Sequence, residues 1–169
     1  MVKTILKQLF RLPFVEDIVY IVGGVLIAFI LYSSLGFALH TDKPVLTVVS
    51  GSMEPTLMIG DLIVVKGVDP SDIEKGDIIV FDTDGFINKL VVHRVYEVLE
   101  AENVDELSGE KHIVYSFRTK GDNVVTNSHV DPWIIHEKNV YGVNIIRIPY
   151  LGYPRIMLNN LMEFAAFKF

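Results

Sequence analysis

Leu90-Val91-Val92-His93-Arg94-Val95-Tyr96-Glu97-Val98-Leu99 reads as a β-strand, because its β-branched and aromatic residues suit a pleated, half-buried surface better than a helix. Alternation puts His93 beside Val91 and Val95 on one face, with Val92, Arg94 and Tyr96 on the other. A polar ring in so apolar a strand must be either satisfied by a partner or put to use. Leu62–Val65, Ile78–Phe81, Ile113–Thr119 and Val140–Ile148 share this composition, and Leu46-Thr47-Val48-Val49 adds another short strand. The gaps carry turn chemistry: Gly60-Asp61, Pro70-Ser71-Asp72, Gly76-Asp77, Asp84-Gly85, Gly109 and Gly121-Asp122. Together these segments predict a mainly β domain, barrel-like or built of two sheets. The acidic stretch from Glu97 to Glu110 reads as a solvated hairpin extension or loop and carries no chemistry of its own.

The strand at Leu46 runs into Ser50-Gly51-Ser52-Met53-Glu54-Pro55-Thr56. Gly51 permits backbone angles closed to other residues, and Pro55 removes a donor, so the strand ends in a tight turn that presents small serines. A serine hydroxyl is a poor nucleophile until a base takes its proton, so Ser52 needs a His or Lys within reach. His93 has the most distinctive setting. His129 lies in a loop near Asp131, while His40, His112 and His136 sit at segment boundaries. Lys89 is four residues before His93, an even offset that places it on the same strand face, and Lys75 and Lys120 border neighbouring turns.

Composition narrows the function classes. The chain has 169 residues, a net charge of -6 and no basic run, which argues against nucleic acid as a partner. A hydrophobic fraction of 50 %, with 21 % charged residues and a mean hydropathy of +0.39, exceeds what a soluble domain needs. Cysteine is absent, so neither a disulfide framework nor thiolate chemistry is available.

The apolar excess has a source. From Ile18 to Leu39 the chain carries no charge over about 22 residues, about 33 Å of helix, enough to cross a bilayer. Lys3, Lys7 and Arg11 precede this run and only Lys43 follows closely, which predicts a cytoplasmic N-terminus and an extracytoplasmic remainder. Val2, Ile5, Leu6, Leu9 and Phe10 interleave with the basic residues either as a surface-lying helix or as a frayed tail before Pro13. A cleavable signal sequence is the competing reading, with Gly36-Phe37-Ala38 offering small residues two apart, but the apolar run is long for one. At the other end, Leu158, Leu161, Met162, Ala165 and Phe169 recur at helical spacing, predicting a short amphipathic helix on the membrane surface, on a partner or on the domain itself.

The Ser50–Thr56 turn resembles the serine box of type I signal peptidases, and Gly76-Asp77-Ile78-Ile79-Val80-Phe81 resembles their following strand box. Val92-His93-Arg94-Val95 is similar to the base-bearing box and Lys120-Gly121-Asp122-Asn123 to the acidic one, in the family's order across roughly Val45 to Ile148. A histidine at the base position resembles the archaeal and ER-type form, where the bacterial form has a lysine. The resemblance implies Ser52 as nucleophile, His93 as general base, and Ser50 with the Ser52 N–H as oxyanion donors. It implies an orienting aspartate too, either Asp131 or Asp122, with Asp131 favoured despite a long Asn127-Ser128-His129 stretch before it. Preference for small residues before the cut is implied as well. By their position beside Ser52, Met53 and Leu57 read as core packing, as resting on lipid or as an apolar floor for small substrate side chains.

The resulting expectation is a membrane-anchored serine endopeptidase that removes signal peptides from exported preproteins, with no metal or organic cofactor. Its partners are preproteins, the lipid bilayer and the protein-export translocon, and its place is the cell membrane, or the ER membrane in a eukaryote. Residues 1–17 form the basic cytoplasmic N-terminus, 18–39 the transmembrane helix, 40–150 the catalytic β domain and 151–169 the amphipathic or membrane-surface segment. About 13 residues join Leu39 to Ser52, so the nucleophile stays within about 45 Å of the helix end. The rival reading is a non-catalytic subunit of an export complex that retains the fold. Self-cleaving repressors share a related catalytic fold, but this chain has a membrane helix where a DNA-binding domain would be.

Overall fold

A computed structural model describes residues 13–85, 87, 89–104 and 111–166. The basic N-terminal stretch Val2–Phe10 lies outside them. The chain divides into two compact units, one ending at Ala38 and one beginning at Leu39.

The first unit is helix α1, Pro13–Ala38, of 26 residues. Proline suits a first helical position because its missing N–H would be unpaired there anyway, and Glu16 places negative charge at the positive end of the helix dipole. Phe14–Ala38 is long and apolar enough to cross a membrane. A helix apolar on every side needs an apolar surrounding such as a bilayer.

The second unit is mainly β, a single antiparallel sheet curled into a half-barrel. Its strands are β1 (Val45–Thr47), β2 (Leu62–Lys66), β3 (Ile78–Phe81), β4 (Val91–Val104), β5 (Lys111–Lys120), β6 (Ile135–His136) and β7 (Val140–Ile148). They lie in the order β1-β2-β7-β3-β4-β5-β6, so the last strand in sequence inserts at the middle. The barrel-like expectation is met by one curled sheet with β1 and β6 at its edges.

Strand β3 explains why the sheet buries both faces. Its four residues are apolar without alternation, as in strands covered on two sides. Val80 joins Met53, Leu57, Ile63 and Val65 in one core cluster. Ile79 and Phe81 join Ile73, Val95, Phe117 and Ile135 in the other. In β4 the predicted alternation holds: His93 and Val95 are buried while Arg94 is partly exposed and Tyr96 exposed. Beyond Glu97 the β4–β5 pair continues to Val104↔Lys111 as a largely exposed ribbon, the acidic hairpin extension, whose tip at residues 105–110 lies outside the described residues.

Helix α2, Tyr153–Ala166, has no buried residue. Its start is tied to the domain: Gly152 N donates to Gly60 O at 2.9 Å, and a Cβ on Gly60 would fall 2.2 Å from the Tyr153 ring. Leu158, Leu161 and Met162 remain more than half exposed.

Candidate active site

The serine turn hangs from the core by two apolar anchors. Met53 and Leu57, each only 1 % exposed, are packed among Ile63, Val65 and Val80, so core packing is the outcome of the three settings considered for them. Leu57 N donates to Met53 O at 2.9 Å, closing one turn of chain between the anchors and leaving Ser50 and Ser52 toward the surface. Their two hydroxyl oxygens are 3.3 Å apart.

The stretch after β5 clasps this turn. Asn123 donates its backbone N–H to Ser52 O at 2.9 Å and its side-chain amide to Gly51 O at 2.8 Å. Thr56 Oγ1 donates to Asp122 at 2.5 Å. Gly121 is required by this approach: a Cβ there would lie 2.6 Å from Ser52 O. Arg94 pairs with Lys120 in the β4–β5 ladder, so continuing the register by one places Gly121 opposite His93. Cross-strand neighbours share a face at about 4.5 to 5.5 Å between Cβ positions. A glycine at position 121 thus lets the serine turn approach the end of β5.

His93 is 5 % exposed, with its Nδ1 2.6 Å from Asp131 Oδ2 and its ring packed edge-on to Phe81. Thr119 completes the arrangement: its hydroxyl donates to the same Asp131 oxygen at 2.7 Å, and its carbonyl accepts the Asp131 backbone N–H at 2.9 Å. Buried polar groups are stable only when paired in this way. With Nδ1–H directed at the carboxylate, Nε2 of a neutral imidazole is left as the acceptor.

Asp122, the other candidate acid, pairs elsewhere. Arg94 grips it with Nε to Oδ1 at 2.9 Å and Nη2 to Oδ2 at 2.6 Å. This two-pronged bond holds the Asp122 carboxyl below the usual carboxylate range, against the opposing effect of burial.

A second clamp was not anticipated from the sequence. Asp61, fully buried, accepts from Met58 N at 2.7 Å and pairs with Arg147 of β7 at 2.5 Å, while Arg147 Nη1 donates to Thr56 O at 2.8 Å. In sequence Gly60-Asp61 reads only as a turn, and an arginine on a half-exposed strand carries no signal of its own. Asn123 and Thr119 were likewise invisible as contacts.

The remaining candidates are dispersed. His129 bonds to Ser128 and His136 to Ser116, while Lys75 lies over the Tyr96 ring. Among the described residues no three His, Asp or Glu side chains gather to hold a metal.

One curled β-sheet thus carries a turn that offers serine hydroxyls and a buried His–Asp pair, the groups that serine peptidase chemistry uses. A Peptidase S24-like family profile matches residues 31–112. The signal peptidase complex catalytic subunit SEC11 of Lachancea thermotolerans is 32 % identical over 141 residues, covering 79 % of this chain and 76 % of that protein. SEC11C of Homo sapiens, carrying the same description, is 31 % identical over 146 residues, covering 81 % of this chain and 68 % of that protein. SEC11 of Komagataella phaffii is 28 % identical over 138 residues. The chain belongs to the type I signal peptidase family.

Proposed function

We propose that this protein is a membrane-anchored serine endopeptidase that cleaves N-terminal signal peptides from exported preproteins. The observation that carries the reading is the buried His93–Asp131 hydrogen bond beside the clasped serine turn, in a chain of this family. Ser52 Oγ attacks the carbonyl carbon of the scissile bond, and its proton passes to Nε2 of His93. Asp131 holds the ring by its Nδ1–H and stabilises the imidazolium. The imidazolium returns the proton to the leaving amine, and water then repeats the sequence to release the acyl group.

Ser52 N–H and the Ser50 hydroxyl stabilise the oxyanion, each donor being worth about 3 to 4 kcal/mol when preorganised. Asp122 does not act on the imidazole in this mechanism. With Arg94 and Thr56 it holds the turn in place. Helix α1 crosses the membrane with its N-terminus in the cytoplasm, which fixes the catalytic domain near the surface where preproteins emerge and raises their effective concentration. The names of the relatives, catalytic subunits of a signal peptidase complex, support both the substrate class and work beside the export machinery.

The test is cleavage of a preprotein by the full-length protein in lipid vesicles. Ser52→Ala and His93→Ala each abolish cleavage, and Lys89→Ala retains it. Loss with Lys89→Ala and retention with His93→Ala would replace the mechanism with a Ser–Lys one. Undiminished cleavage by Ser52→Ala would remove Ser52 as the nucleophile, and absence of cleavage by wild type would leave only the non-catalytic subunit.

A further inference from the structure

Next to the serine turn, on the face of β4 and β5 away from the imidazole, lies a pocket of about 290 Å³ lined by Lys75, Arg94, Tyr96, Lys120, Asp122 and Val124. Its Gly121-Asp122 wall is the same stretch that abuts Ser52 O and accepts from Thr56. The chain as a whole is acidic, but this pocket is not. Arg94 is committed to Asp122 and to Gly76 O, and Asp77 nearby accepts from Glu74 N. Lys75, with its Nζ 5.2 Å from the Tyr96 ring centroid, and Lys120 form no ion pair among the described residues. Two positive charges therefore border a cavity whose walls hold the Tyr96 ring and Val124 beside the mutually paired Arg94 and Asp122.

We propose that this pocket receives the carboxylate of an Asp or Glu in the substrate, on the carboxyl side of the cut. The inference rests on the peptidase reading above. A cavity this small, at the low end of ligand sites, fits one side chain. An extended substrate advances about 3.4 Å per residue, and the pocket shares its Gly121-Asp122 wall with the turn that holds Ser52, so the side chain belongs to a residue close to the scissile bond. Before the cut, a signal peptide carries small residues and then its apolar stretch. The acidic residue therefore lies after the cut, in the mature part. The aliphatic stem of Glu packs on Tyr96 and Val124 while its carboxylate meets the lysine ammonium groups.

The experiment measures kcat/KM of the full-length protein in uncharged-lipid vesicles on preproteins carrying Glu, Gln or Lys at each of the first five mature positions. At one or two adjacent positions Glu is cleaved about three- to fivefold better than Gln, as fits a partly exposed ion pair, and Lys worse. The advantage resides in KM and fades as salt is raised. In Lys75→Gln with Lys120→Gln the Glu-to-Gln ratio falls to about one, and Lys120→Glu reverses it in favour of Lys. Circular dichroism melts verify that each variant is folded. Equal cleavage of Glu and Gln at every position by wild type overturns the inference and leaves the peptidase reading intact, as does a ratio that survives the double substitution. Equal ratios combined with a lysine-dependent response to anionic vesicles overturn it too and assign the pocket to lipid phosphate. No cleavage of any substrate overturns the peptidase reading and the inference with it.

Discussion

Asp131 and Asp122 are nine residues apart in the chain but have different partners, and the difference yields two predictions. Asp131 meets the His93 ring, so Asp131→Asn leaves the shape of the site but presents an amide where the ring N–H needs an anion. We expect kcat to fall about 10³- to 10⁴-fold with KM little changed, as measured by steady-state preprotein cleavage. Asp122 meets Arg94, and because its folded pKa is depressed, the stability it contributes is present above the unfolded value of about 3.9 and is lost as pH falls through the lower folded value. Asp122→Asn is therefore destabilised by about 1 to 2 kcal/mol at pH 7, a figure reduced for the partial exposure of Arg94. Urea unfolding at pH 7 and pH 3 checks this: the gap from wild type narrows at the lower pH. Spacing and turn composition left the choice between these aspartates open. The chain doubles back through Asn127 N to Asn123 O and returns to β5 where Asp131 N meets Thr119 O, a path formed by contacts that no local propensity encodes.

The strands repeat the lesson at greater length. β3 and β7 match their predicted bounds, since runs rich in β-branched residues, bounded by Gly76-Asp77 before β3 and by Asn139 and Pro149 around β7, carry a strong local signal. The two-residue β6 lacked enough sequence to register. Nor did any pattern indicate that β7 inserts between β2 and β3, yet that insertion delivers Arg147 to Asp61 and Thr56 O. The consequence is testable on the element as a whole. Arg147→Ala leaves the fully buried Asp61 without its cation, and breaking such a pair costs about 3 to 5 kcal/mol when both partners are buried. With Arg147 partly exposed we expect about 2 to 3 kcal/mol by chemical denaturation. Cleavage activity drops further than stability alone explains, because the Thr56 carbonyl loses its donor and the serine turn loosens. Arg147→Lys restores part of both.

The chain joins an apolar helix to a β domain whose helix α2 exposes apolar side chains. We expect the full-length protein to remain in the membrane pellet after alkaline extraction. In sealed vesicles with the cytoplasmic face outward, added protease should leave residues from Leu39 onward intact until detergent is supplied. Digestion without detergent would reverse the orientation inferred from Lys3, Lys7 and Arg11.

The sequence by itself determined the apolar helix, the strand content and the chemical candidates Ser52 and His93. Each of these depends on residue type and on spacing over a few neighbours, and hydrophobic periodicity and turn chemistry act over that range. The tertiary structure alone decided the sheet order, the Asp61–Arg147 clamp, the Gly121 approach to Ser52 and the aspartate that holds the imidazole. These join residues far apart in the chain, and they exist only because burying two apolar clusters on one curled sheet fixes the register that brings them together.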